Sequence, residues 1–63
     1  MLHLSKEYRK ILYTKWGISQ TYKPPIRDII DMLKSYDYNR NDINQTVLFL
    51  ELMHDLIIKN LEN

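Results

Sequence analysis

Hydrophobic side chains recur at helical spacing in three stretches of the chain, and this pattern predicts an all-α fold. The first stretch runs from about Ser5 to Trp16. Ser5 is a suitable N-cap, and Gly17 stands where a left-handed C-terminal residue is favoured. The expected apolar face consists of Leu4, Tyr8, Ile11 and Leu12, with Lys6, Arg9, Lys10 and Tyr13 on the opposite side.

The second stretch, from about Pro25 to Tyr36, has the pattern of a short amphipathic helix with one buried side. Pro25 is expected as its first residue, where the missing N–H has no cost. A polar turn follows, and Asn41 is the expected N-cap of the next helix. The apolar stripe of the second helix is expected to be Ile26, Ile29, Ile30 and Leu33.

The third stretch, about Asp42 to Asn60, is apolar over most of its circumference when residues are placed at about 100° intervals. Its polar residues gather on one narrow stripe, which is expected to be its only clearly solvated side. A helix that is apolar on most sides is normally buried on most sides. The stripe consists of Asn44, Glu51, Asp55 and Glu62.

Together these stretches predict one small helical domain over residues 1–63, with two short amphipathic helices and a longer, mostly apolar C-terminal helix. A chain of this length has a marginal core, so dimerisation is one way to complete the fold. One interpretation makes the third helix the centre of a self-sufficient three-helix bundle. The favoured one leaves part of it to bind another protein chain, either a second copy or a host protein. The predicted interface is Val47, Leu48, Phe49, Leu52, Met53 and Leu56.

Charge is distributed unevenly although the net charge is only +1. Residues 1–34 carry seven Lys or Arg and three acids (7 − 3 = +4), whereas residues 35–63 carry two and five (2 − 5 = −3). The halves can attract each other, a second copy or a charged partner. The basic start lacks the pattern of a signal peptide, and the longest apolar run is too short for a membrane span. The expectation is a cytoplasmic protein without a membrane partner.

Two nucleic-acid hypotheses are alternatives. Residues 33–47 resemble a DNA-reading helix-turn-helix, and the Arg, Asn and Gln side chains among residues 40–45 are types that pair with base edges. Simple turn and capping chemistry is the favoured interpretation, because the turn lacks glycine and the charge is low. The DNA candidates are Arg40, Asn41, Asn44 and Gln45. A less favoured single-strand platform would use Lys10, Tyr13 and Trp16.

No recognisable catalytic, cofactor or metal motif is present in the sequence. The chain has no cysteine, and His3 and His54 lie far apart. His54 is expected in the core or an interface, bonded to a backbone carbonyl or a tyrosine hydroxyl.

The predicted function is therefore a small non-catalytic interaction module that masks or bridges a surface on another protein, as an inhibitor or adaptor. The absence of alanine and the abundance of Asn, Ile, Lys and Tyr suit an AT-rich genome, such as that of a low-GC bacterium, a phage or another virus. The small, helical, partner-dependent design is similar in style to that of host-directed phage or mobile-element proteins.

Overall fold

A computed structural model describes residues 4–62, which form three α-helices and no strand. The helices are α1 (Lys6–Lys15), α2 (Ile26–Ser35) and α3 (Ile43–Leu61). This confirms the predicted all-α, three-helix arrangement. His3 lies outside the described residues.

The ends of the helices follow capping chemistry, with two corrections. The Ser5 hydroxyl accepts a hydrogen bond from the Tyr8 amide at 3.1 Å, and Gly17 adopts φ +67°, both as predicted. Pro25 is the N-cap of α2 and not its first helical residue. Asp42, and not Asn41, caps α3, because the Asp42 carboxylate accepts from the Gln45 amide at 2.7 Å.

Helix α3 is the central element of the fold. Within residues 4–62, α1 and α2 each pack against α3 and do not pack against each other. The buried core therefore collects on α3, with a smaller contribution from each flanking helix. It consists of Leu12, Tyr13, Ile29, Phe49, Leu52, Met53 and Leu56.

The buried face of α1 differs from the predicted one. Tyr13, expected in solvent, is 1% exposed, whereas Ile11, expected in the core, is 64% exposed. Burial of Tyr13 is feasible because its hydroxyl donates to Asp55 Oδ2 at 2.5 Å. The α2 stripe is also narrower than predicted, since only Ile29 is fully buried while Ile26 and Ile30 are exposed.

The polar stripe of α3 is the largest departure from the sequence expectation. Asp55 is only 4% exposed, and Glu51 is half-buried and accepts from the Tyr8 hydroxyl at 2.5 Å. Both carboxylates face α1, which brings hydrogen-bond donors to them. The prediction that this stripe is the solvated side of α3 is therefore wrong at its centre, and only Asn44 and Glu62 are exposed.

The loop between α1 and α2 is held against the last turns of α3. Lys59 Nζ donates to the Gln20 carbonyl at 2.6 Å, and Asn60 Nδ2 donates to the Pro24 carbonyl at 2.7 Å. Pro24 is buried beneath this contact. Across residues 4–62, none of the helices combines the length and apolar character that a bilayer crossing requires.

Candidate protein-binding surface on the third helix

The predicted interface residues fall mostly inside the fold. Phe49, Leu52, Met53 and Leu56 are buried in the chain's own core, Leu48 is half-buried, and Val47 is exposed. Four of the six are thus withdrawn from the surface of the single chain, because α1 and α2 cover more of the apolar arc than their sequences suggested. Binding of another chain by α3 stays a prediction. A binding surface on this helix would have to consist of other residues, because most of the predicted ones are buried.

Phe49, on the core-facing side of α3, is buried by aromatic side chains at the ends of both flanking helices. Its ring stacks on Tyr36 with centroids 3.9 Å apart and an interplanar angle of 13°. Trp16 meets the same ring edge-on at 5.8 Å. Aromatic pairs in such geometries add to the free energy of burial, so Phe49 joins the ends of α1 and α2 to α3.

An apolar strip remains on the opposite side of α3, and we call it the outer seam. It runs the full length of the helix. Its end residues are the most exposed, with Ile43 at 80% and Leu61 at 72%. Val47, Leu50 and His54 are also exposed, and Ile57 is half-buried. The outer seam consists of Ile43, Val47, Leu50, His54, Ile57 and Leu61.

A shallow apolar groove lies along the middle of the outer seam. Its floor and walls are formed by Val47, Leu50 and His54, together with Glu51 of the same helix and Leu4, which precedes α1. Sequence reasoning missed Leu50, Ile43 and Leu61 as surface residues. The available signal was the regular spacing of apolar residues on the side away from Leu52 and Leu56.

His54 does not occupy the core position that was one of its two predicted places. Its side chain is exposed in the groove of the outer seam. A place in an interface, the other expectation, stays a prediction. Among residues 4–62 no group of three His, Cys, Asp or Glu side chains is arranged to hold a metal ion.

A polar network borders the other side of α3. Asp55 accepts from Tyr13 and also pairs with Arg9 Nη2 at 3.1 Å. Lys59 Nζ lies 4.2 Å from the centroid of the Tyr13 ring. This network connects α1 to α3 through buried and half-buried groups, and so it helps to fix the position of α1 on α3.

The pKa values of three groups near the contact between α1 and α3 are shifted: those of Tyr13, Tyr8 and Lys59. Burial, then the hydrogen bond to Asp55, raises the pKa of Tyr13 well above its ordinary value. The hydrogen bond to Glu51 raises the pKa of Tyr8 in the same direction. Burial lowers the pKa of Lys59. Each tyrosine is therefore held as a neutral donor to a carboxylate.

Backbone amides of two DNA-reading candidates, Arg40 and Gln45, and the side chain of a third, Asn41, form the turn before α3 and its N-cap. The Arg40 amide donates to Asp37 Oδ1 at 3.0 Å, and Asn41 Nδ2 donates to the Asp37 carbonyl at 2.8 Å. The Gln45 amide is used by the N-cap of α3, and Arg40 and Asn44 are exposed. These contacts are the turn and capping chemistry that was favoured, and base reading by this segment stays an untested prediction.

The three single-strand candidates do not share one surface. Lys10 is exposed, but Tyr13 is buried and Trp16 is half-buried against Phe49. Lys59 lies over the ring of Tyr13. Stacking of a base on Tyr13 is thus blocked, because the fold uses that ring as part of the core.

Comparison of the chain with protein families, with curated proteins and with solved structures finds no match.

Proposed function

We propose that the protein is a small non-catalytic binding module that masks or bridges another protein chain through the outer seam of α3. The observation that carries the proposal is an exposed apolar strip on the side of α3 that faces away from the core, interrupted only by His54 and by the half-buried Ile57. Its exposed apolar residues are Ile43, Val47, Leu50 and Leu61. An AT-rich composition is compatible with an origin in a phage, and a host protein is the target that this proposal names.

Several large apolar side chains of α3 remain in contact with water in the folded chain. Covering a large apolar side chain stabilises a complex by roughly 1.5–3 kcal/mol. Ile43 and Leu61 are mostly exposed, and Val47 and Leu50 are each exposed to nearly half. A chain with so small a core has little apolar area to spare, so uncovered side chains at both ends of its longest helix indicate a binding role.

The test replaces one side chain at the centre of the outer seam. Leu50→Glu places a charge in the groove without touching the buried core, and Asn44→Glu adds the same charge to an exposed position on α3 outside the seam. Both variants are expected to keep the helical circular-dichroism spectrum. Wild type and Asn44→Glu should bind a hydrophobic dye and retain proteins from a host lysate, and Leu50→Glu should do neither.

Equal dye binding and equal protein retention by all three chains would contradict the proposal, because the outer seam would then contribute nothing to binding. Each retained protein is checked with purified components, so that capture in the lysate alone does not decide the result.

A further inference from the structure

A carboxylate lies within the mostly apolar lining of the groove in the outer seam. Glu51 is half-buried there, and its Oε1 accepts the hydrogen bond from the Tyr8 hydroxyl. Its second oxygen, Oε2, has no hydrogen-bond partner among residues 4–62 and is not buried. The groove therefore offers a partner both apolar surface and an accessible carboxylate oxygen. Its lining consists of Leu4, Val47, Leu50, Glu51 and His54.

Within residues 4–62, no cation forms an ion pair with Glu51. The ion pair between α1 and α3 joins Arg9 to Asp55 instead, at 3.1 Å. Residues 41–58, which include most of α3, contain three acids and no Lys or Arg. The charge on Glu51 is therefore left without a counter-charge beside the groove.

A partner that covers the groove also removes water from Glu51. A carboxylate that loses water without gaining a cation is destabilised. The neutral hydroxyl of Tyr8 supplies one hydrogen bond and no charge. An entirely apolar partner leaves this cost uncompensated, and an acidic partner adds repulsion. The groove of a second copy would present another Glu51 and the same repulsion.

We propose that the groove of the outer seam binds a segment of another protein that presents apolar side chains together with a lysine or arginine, whose cation pairs with Glu51 Oε2. The inference rests on the proposed function and names the chemistry of its partner. Contacts with Val47 and Leu50 supply apolar burial, whereas the ion pair selects basic segments over neutral and acidic ones. One face of a basic amphipathic helix has this combination of side chains.

Two synthetic amphipathic peptides of equal length test the proposal, one of leucine and lysine and the other of leucine and glutamate. Binding of the labelled peptides to the full chain is measured by fluorescence anisotropy at low ionic strength, where screening is weak. Glu51→Gln removes the charge but keeps a side-chain oxygen that can accept from Tyr8. Glu62→Gln is the matched control, because it removes the same charge from an exposed position at the end of α3, outside the groove. Circular dichroism verifies that the variants fold.

Wild type and Glu62→Gln should bind the lysine peptide with the same dissociation constant. Wild type should bind the glutamate peptide at least about tenfold more weakly, and Glu51→Gln should bind the lysine peptide at least about tenfold more weakly than wild type does, because the cation has then lost its partner. The difference between Glu51→Gln and Glu62→Gln should decrease as salt is added.

A folded Glu51→Gln chain that binds the lysine peptide as tightly as Glu62→Gln would overturn the inference. Equal binding of both peptides by wild type, lost in the uncharged variant Leu50→Gln, would overturn the basic partner and support the proposed function. Self-association that Leu50→Gln abolishes, without binding of either peptide, would assign the groove to a second copy and also overturn the basic partner. A wild-type chain that binds neither peptide, does not self-associate and captures no purified host protein would overturn both proposals.

Discussion

Asp55 of α3 is bonded to two side chains of α1. Its carboxylate is 4% exposed and is held by the Tyr13 hydroxyl and the Arg9 guanidinium. A buried carboxylate without such partners would be strongly unfavourable. The ion pair and hydrogen bond therefore make possible a polar core position that would otherwise destabilise the fold.

Asp55→Ala is expected to lower the free energy of unfolding by about 3 kcal/mol. The substitution leaves the buried Tyr13 hydroxyl without an acceptor and Arg9 without its counter-charge. Urea denaturation followed by circular dichroism measures the change. Asn44→Ala, on the same predicted stripe but exposed, should change stability by no more than about 0.5 kcal/mol. Similar losses for the two variants would refute the buried role of Asp55.

Alkaline pH is expected to destabilise the protein through Tyr13 and Tyr8. Their pKa values are raised in the folded state, so above about pH 10 the folded chain holds protons that the unfolded chain releases. Stability is therefore fully present below pH 10 and is lost as pH rises further. Burial lowers the pKa of Lys59 in the folded chain. Between that lowered pKa and the ordinary pKa of lysine, the unfolded chain holds more protons, so this group makes stability increase as pH rises.

Denaturant midpoints measured between pH 9 and pH 11.5 test this expectation. Tyr13→Phe should be less stable than wild type at pH 9 but should lose less stability as the pH rises, because it has no buried phenol to ionise. A pH dependence as steep as that of wild type would show that Tyr13 is not responsible.

At the scale of elements, α3 has two apolar sides with different roles. The inner side packs on α1 and α2, whereas the outer seam is exposed except at Ile57, which is half-buried against the core. Phe49 and Val47 represent these sides and are only two positions apart in the chain.

Phe49→Ala is expected to cost about 4 kcal/mol of unfolding free energy, because it leaves a cavity between Tyr36 and Trp16. Val47→Ala should cost less than about 1 kcal/mol in the monomer, since nearly half of Val47 is exposed and it lies outside the core cluster. Thermal and urea unfolding of dilute samples measure both. A larger loss for Val47→Ala than for Phe49→Ala would contradict the assignment of inner and outer sides.

At the scale of the whole molecule, cooperativity depends on α3, because α1 and α2 do not pack on each other. Leu12 and Ile29 enter the same core cluster from the two flanking helices. Loss of either flank exposes α3 residues that the other flank also needs.

Leu12→Ala and Ile29→Ala are each expected to lower the midpoint of one shared unfolding transition. The transition should coincide when followed by far-ultraviolet circular dichroism, which reports all three helices, and by the fluorescence of Trp16. A variant in which Trp16 fluorescence changes well before the helical signal would show that α1 unfolds separately from the rest.

The sequence by itself determined the three helices, Ser5 as the N-cap of α1 and Gly17 as the left-handed residue that follows α1. These depend on spacing and capping between residues close together in the chain. It also indicated that α3 has more apolar surface than an ordinary amphipathic helix.

Only the tertiary structure decided which sides of the helices are buried. The pattern of each helix alone predicts that Tyr13 and Asp55 are exposed to solvent. In the folded chain they form a buried hydrogen bond between residues 42 positions apart. Helical periodicity describes one helix at a time and carries no information about such a partner. The packing of α1 and α2 together covers Phe49, Leu52 and Met53, and the exposed apolar surface of α3 is therefore the outer seam.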